Sequence, residues 1–420
     1  MTSSDAPAAT DGPTDWPTDW PAHRPEVRPW RQTAARGPRA DRQVNEITVM
    51  LPPKIARLTF EPEPALLRML EAVAGGLTHL DMVHGRTLAA LNSLLLRTES
   101  VDSSKIENVD ASLADYGRAL LGEGANSSAM SMAAATTALS RMIRDAAMLP
   151  RTVRKEAMLR AHHDLFARVP SDNVRPGHVR HRQNWVGGSD YSPRGALHVP
   201  PPPETVDDYL DDLFAFANRD DMPALAQAAI VHAQFESIHP FTDGNGRIGR
   251  ALIHAVLRKR RVTRHLTVPI ASGLVSHRDQ YFQALDDYRA GNASTIVTML
   301  ASAASIATRE SRQTATEIIE ISERWQEAMS RPYAGSLAYR LLDLVIEEPM
   351  VNLALVTDRL GTDDAAAKDV LAQAAAAGVL VRAKGARRTP VWLARDVLHE
   401  VHDLSIRTSE KALTLHAEES

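Results

Sequence analysis

The chain has 420 residues, room for two or three domains with cores of their own, and an ordinary soluble balance of 44% hydrophobic and 24% charged residues. A net charge of -4 excludes a protein that coats nucleic acid through its overall charge, and the lack of cysteine excludes disulfides, thiolate zinc sites and cysteine nucleophiles. No apolar run reaches membrane-spanning length and the first residues lack a basic-then-apolar pattern, so a cytoplasmic chain is expected.

Residues 1–44 read as a Pro- and Trp-rich tail, in which Asp15-Trp16-Pro17 returns as Asp19-Trp20-Pro21. Proline fixes φ and removes a donor, so no regular element is expected there. The tryptophans are read as staples onto the body rather than as a partner's site. A helical region over 45–150 follows, opened by Val49-Met50-Leu51-Pro52-Pro53. Leu66, Leu67, Met69, Leu70 and Val73 mark one amphipathic helix, and Leu88, Leu91, Leu94 and Leu95 another. Glu99 to Asp110 reads as a polar interruption, after which helical patterns resume over 111–121, 128–148 and 153–169.

A core is expected over 151–328. In it, Asn184 to Gly188 and Ala196 to Val199 predict a β-hairpin around a turn-rich stretch, and Pro200 to Pro203 a rigid link. Thr205 starts a helix through Ala217, Ala224 to Ile238 forms an apolar helix that Pro240 ends, and another helix runs over 247–261. Helices over 279–290 and 293–327 close the core. Residues 333–405 change character, with short helices over 337–345, 353–360 and 363–377. Val379 to Val381 and Val391 to Leu393 flank a basic turn, which is a winged helix-turn-helix order. Residues 406–420 read as a tail.

Between the two apolar helices stands His239-Pro240-Phe241-Thr242-Asp243-Gly244-Asn245-Gly246-Arg247-Ile248-Gly249-Arg250. It matches G-x-G-x-x-G formally, but a dinucleotide site needs a preceding strand and an acid about twenty residues on. Here the preceding segment is helix-like and Leu266 to Ile270 carries no acid. A loop feeding a helix N-terminus leaves backbone N–H groups unpaired, and glycines let an anion approach them. Arg247 and Arg250 share a helix face and can grip successive phosphates. Asp243 is a hard oxygen ligand suited to magnesium, Asn245 can donate to a phosphate oxygen, and His239 exchanges protons near neutral pH. Singly each has a bland reading, as a helix cap, a solvated arginine or a turn. Together they imply transfer of a phosphate-containing group onto a hydroxyl.

At every specified position this stretch resembles the Fic family signature, His-x-Phe-x-Asp/Glu-Gly-Asn-Gly-Arg-x-x-Arg. The resemblance implies a mainly α fold: a Fic-type helical core with a β-hairpin flap, with the winged module beyond it. It implies adenylyl transfer from ATP, with Mg2+, to a Ser, Thr or Tyr hydroxyl of a protein, another chain or this one. His239 would deprotonate the hydroxyl and Asp243 would hold magnesium. Gly244, Asn245 and Gly246 would form the anion hole, while Arg247 and Arg250 would bind phosphates. Gly246 argues against the phosphorylating Doc-type branch, which carries Lys there. The flap, through Val186, Gly187 and Gly188, would hold the target by edge pairing.

Upstream, Ser103-Ser104-Lys105-Ile106-Glu107-Asn108 resembles the family's inhibitory motif, Ser/Thr-x-x-x-Glu-Gly/Asn, at Ser103, Glu107 and Asn108. Ser104-x-x-Glu107 is also a helix capping box, the favoured reading from local residues alone. Beside the complete central motif, inhibition becomes the better one. A carboxylate taking the Arg250 guanidinium bidentately would occupy the γ-phosphate's place, in cis or across a homodimer. Rival readings are removal of AMP, a metal-dependent phosphohydrolase using His232, His239 and Asp243, and a regulator acting through its winged module. His162-His163 and His178-x-x-His181 are read as packing or surface histidines. In the winged module Arg382, Lys384, Arg387 and Arg388 could meet phosphates, but the recognition helix opens on Thr362-Asp363-Asp364, so protein binding is placed ahead of DNA.

Overall fold

A computed structural model describes residues 20–31, 37–83, 88–123, 125–168, 173–383 and 390–419. Strands β1 (Arg24–Pro29) and β2 (Glu46–Leu51) pair antiparallel, with the single turn α1 (Arg39–Arg42) between them. The expected irregular tail is therefore corrected: part of it is a strand. The Met50 N–H points away from β1, to the Val199 carbonyl at 2.8 Å. Pro25 stands opposite Met50, so its missing N–H is not required by the ladder. The ordering comes from a distant partner, which local composition does not reveal. Trp20 is buried edge-on against Phe60 and Phe216 and tilted against Tyr288, as the stapling reading expects. Trp16 lies outside the described residues.

Helices α2 (Pro64–Val83), α3 (Leu88–Ile106), α4 (Leu113–Leu120), α5 (Ser127–Ala147) and α6 (Lys155–Phe166) follow. The polar interruption is not one: α3 runs straight through Glu99 to Ile106. Its polar residues are buried against other helices, so tertiary partners rather than solvent satisfy them. The capping-box reading falls with it, because Ser104 lies in the last turn and donates to the Ser100 carbonyl at 2.9 Å.

After α7 (Val206–Ala217) come α8 (Ala224–Ile238) and α9 (Asn245–Lys259), the centre of the molecule. Alanines and branched apolar residues bury α8 on every side from Leu225 to Ile238. A helix without a polar face has to lie inside a bundle. Helix α9 packs along α8 and α5, and α7 covers the other flank of α8. Helices α10 (Ile270–Val275), α11 (Arg278–Arg289) and α12 (Ala293–Ala328) complete this bundle. At 1.5 Å per residue α12 is about 54 Å long.

Beyond α12 stand α13 (Leu337–Glu347), β3 (Met350–Asn352), α14 (Leu353–Leu360), α15 (Asp364–Ala376), β4 (Val381–Arg382), β5 (Val391–Leu393) and α16 (Arg395–Glu419). The sheet order is β3-β5-β4, antiparallel throughout. Ser336, Asn352 and Asp363 cap α13, α14 and α15 by accepting backbone N–H bonds. Strand β3 was not foreseen, being too short to show a period. The expected 406–420 tail is corrected as well, because α16 continues to Glu419 and packs on α12, α10 and α3. One continuous apolar core joins Trp20 to Leu404.

Candidate active site

The loop between α8 and α9 is built by backbone geometry. His239 caps α8 with φ 48° and ψ 60°, a left-handed conformation that non-glycine residues rarely adopt. Pro240 disfavours a right-handed helical residue before it, which turns the chain there. Arg180, buried, donates from Nε to the His239 carbonyl at 2.9 Å and from Nη2 to the Pro201 carbonyl at 2.5 Å. Asn184 donates to the Phe241 carbonyl at 2.8 Å. Neither Arg180 nor Asn184 was singled out in the sequence; both precede the loop by more than fifty residues and carry no local signal.

Asn245 corrects an expectation. Its Oδ1 accepts from the Phe241 N–H at 2.9 Å and its Nδ2 donates to the Phe241 carbonyl at 2.8 Å. The side chain closes the loop instead of reaching a phosphate; only its backbone N–H can serve an anion. Gly244 has φ 81°, and a Cβ there would meet Leu165 and Phe166 at 2.8 Å. The loop is thus pressed against α6. His162 of α6 lies under it, stacked on Phe241 at 3.7 Å, with Nδ1 accepting from Gly177 N–H at 2.9 Å. That packing role matches the sequence reading.

The His239 ring is pushed down to about 4, chiefly by burial and then by Arg180 and Arg289. At neutral pH it is an uncharged imidazole. Its Nδ1 is buried, 3.8 Å from Oε2 of Glu236. The Glu236 carboxyl is pushed up to about 7 by burial, then by Glu107. His232 does not join His239 and Asp243; its Nε2 bonds the Tyr281 hydroxyl at 2.8 Å. Among the described residues no three His, Asp or Glu side chains gather in a metal-binding group.

Arg247 and Arg250 lie in the first two turns of α9. Arg247 donates to Ser131 Oγ at 2.7 Å and stands 3.6 Å from Asp243. Arg250 is 1% exposed and donates from Nε to Ser103 Oγ at 2.8 Å, and from Nη2 to the Ser103 carbonyl at 2.7 Å. The same Nη2 meets Glu107 Oε1 at 2.8 Å. Burial works against the Arg250 charge, but Glu107, Tyr281 and Glu236 together outweigh it and its pKa is raised. Burial likewise opposes the Glu107 charge, and Arg250 reverses that, holding the carboxyl below its usual range. A Cβ on Gly246 would sit 1.8 Å from Glu107 Oε1, so the carboxylate lies directly on the first turn of α9. Asn108, with φ 57°, accepts from Arg278 at 3.0 Å. The structure therefore brings Ser103 and Glu107 to the central loop, while Asn108 turns to Arg278 of α11.

The flap is less regular than expected. Val186 and His198 form one isolated antiparallel bridge, and no strand extends from it. Gly187 and Gly188 have φ of 71° and 74°, so they turn the chain and do not offer the extended edge assigned to them. The hairpin β1–β2 braces this flap. Val199 packs with Ile47 and Val49, and the buried Asp41 accepts from Ser192 at 2.7 Å and Arg194 at 3.2 Å.

Residues 152–257 match the family model of the Fic/DOC family. The matched segment resembles a Fic domain. A protein of Aquifex aeolicus named probable protein adenylyltransferase is 32% identical over 102 residues, 23% of this chain and 28% of that protein. The protein adenylyltransferase Fic of Culex quinquefasciatus is 27% identical over 147 residues, 34% of this chain and 26% of that protein. The chain thus spans little more than a quarter of the length of these relatives. A Fic family protein of Desulfovibrio desulfuricans has the same fold, with a TM-score of 0.50 at 20% identity over 80% of this chain and 97% of that one. Within the matched segment lie the loop, both arginines and the flap; Glu107 reaches them from outside it.

Proposed function

We propose that this chain is a protein adenylyltransferase, moving AMP from ATP to a Ser, Thr or Tyr hydroxyl of a protein, and that Glu107 restrains it. The carrying observation is an anion already seated in the cradle: the Glu107 carboxylate lies on Gly246 and on Arg250. Helix N-termini with a buried arginine suit the phosphates of a nucleotide equally well. Uncharged His239 takes the proton of the target hydroxyl, whose oxygen attacks the α-phosphorus. The bond to the β-phosphate oxygen breaks and pyrophosphate leaves. Asp243, exposed at the mouth and 3.6 Å from Arg247, fits a hydrated magnesium ion, which would neutralise phosphate charge. With Glu107 on Arg250, the γ-phosphate loses its partner and the α-phosphate its alignment.

The flap arms at Val186 and Leu197 would hold the target. Leu197, 78% exposed, is an apolar contact ready for it. The phosphohydrolase reading is disfavoured because His232 is committed to Tyr281. We place the unit after Pro332 as a winged module for protein contacts rather than DNA. Asp363 and Asp364 open α15, while Lys384, Arg387 and Arg388 lie outside the described residues. No helix among the described residues is long and apolar enough to cross a membrane. Label from the α-phosphate of ATP entering protein with the Glu107→Gly chain, and not with Glu107→Gly/His239→Ala, is the expected result; label from the γ-phosphate instead would mean kinase chemistry.

A further inference from the structure

Helix α3 has a second face. While Ser103 and Glu107 turn to Arg250, Arg97, Val101 and Asp102 turn to the segment after Pro332. Buried Arg97 donates from Nη1 to the Glu347 carbonyl at 2.7 Å, at the end of α13, and from Nη2 to the Glu348 carboxylate. Val101 is buried in one apolar cluster with Met350 and Leu398. Asp102 has no exposure at all; its Oδ2 accepts from Ser272 at 2.5 Å and from Ser405 of α16 at 2.8 Å. Neighbouring α4 joins the same contact, since Met350 fills the space where Gly117 lacks a side chain.

We propose that the C-terminal unit, α13 to α16, is the tether of the inhibitory segment, so that its displacement withdraws Glu107 from Arg250. A helix moves as a rigid rod over two turns, and Asp102 is covalent neighbour to Ser103. Loosening Arg97 and Asp102 therefore loosens Ser103 and Glu107 together. Buried polar groups of this kind have discrete arrangements, paired or unpaired, which suits a two-state device. A cavity of about 150 Å³ borders the ion pair, lined by Arg97, Glu348, Leu120 and Met350. It gives the Arg97 side chain room to leave without unpacking the core. Any partner that binds the detached C-terminal unit more tightly than the docked one shifts the balance toward the open site.

The rate arm of the test rests on the adenylyl-transfer reading; the exchange arm does not. In the full chain, Ser405→Ala and Arg97→Glu should speed amide hydrogen exchange over 97–108 by roughly tenfold, the scale of one lost bond to a charged group. Both should raise α-phosphate labelling toward the Glu107→Gly level, and Arg97→Glu/Glu348→Arg should bring both readouts back. Unchanged exchange in Ser405→Ala, a small substitution that keeps the fold, overturns the tether even if Arg97→Glu fails to fold. Faster exchange with labelling unchanged, while Glu107→Gly labels strongly, overturns it too. Faster exchange with no labelling even in Glu107→Gly upholds the tether and rejects the transfer reading.

Discussion

Two segments meet at Arg250 and are held in opposite ways. The His239–Arg250 loop is fixed from inside: Asn245 staples it to Phe241, Arg180 and Asn184 grip its carbonyls, and His162 lies stacked beneath it. Glu107 stands at the rim with its side chain 35% exposed, joined to the loop through the Arg250 guanidinium. The loop geometry is thus part of the core, and the Glu107 contact is laid over it. Under the proposed reading Glu107 could leave without rebuilding the loop, because the two sets of bonds meet only at Arg250.

The comparison can be broken by treating each side separately. The largest effect should come from the base: His239→Ala in the Glu107→Gly chain should cut label transfer by about 10²–10⁴-fold, the range of general-base catalysis. A loss under tenfold would mean that another group takes the proton. Next, Glu107→Gly should raise transfer by about 10²-fold, since a misaligned phosphate carries penalties of that size. The same change leaves buried Arg250 without its carboxylate, so ATP should raise the melting temperature of Glu107→Gly more than that of the unaltered chain. Equal shifts would place the nucleotide phosphates elsewhere.

Asn245→Ala tests the inner side by stability. Two buried bonds to Phe241 vanish, and a cost of roughly 2–3 kcal/mol is expected in denaturant unfolding. A smaller effect comes from Glu236, whose carboxyl is raised to about 7. A raised pKa contributes stability that is complete below about 4.5 and lost as pH rises toward about 7, roughly 3 kcal/mol at most. Glu236→Gln should flatten that decline in unfolding midpoints measured from pH 4 to 8. His239 and His232, with lowered values, slope the other way below pH 6.5 in both proteins, so the difference between the two curves reads Glu236. Parallel curves would show the acid to be ionised in the fold.

Helix α8 was legible residue for residue and α9 to within two residues at each end, because their period, the Pro240 stop and the glycines are local properties of the chain. Glu107 was legible only through its motif, and its spacing to Ser104 suggested a cap that the fold rules out. The strand β1 was hidden among prolines because its partner, β2, lies some twenty residues away and itself leans on Val199. Helix α3 looked broken because its serines, Asp102 and Glu99 read as solvent-facing. In the fold they meet Arg250, Ser272, Ser405 and the Ala271 N–H.

By itself the sequence determined which groups are available for phosphate chemistry and their order along one loop, since turn residues and helix period act over a few positions. Only the tertiary structure decided what each group is free to do. Asn245 closes the loop, His239 loses its charge, and Arg250 holds Glu107. Those outcomes depend on burial and on partners brought from across the chain, and both exist only once the bundle has packed.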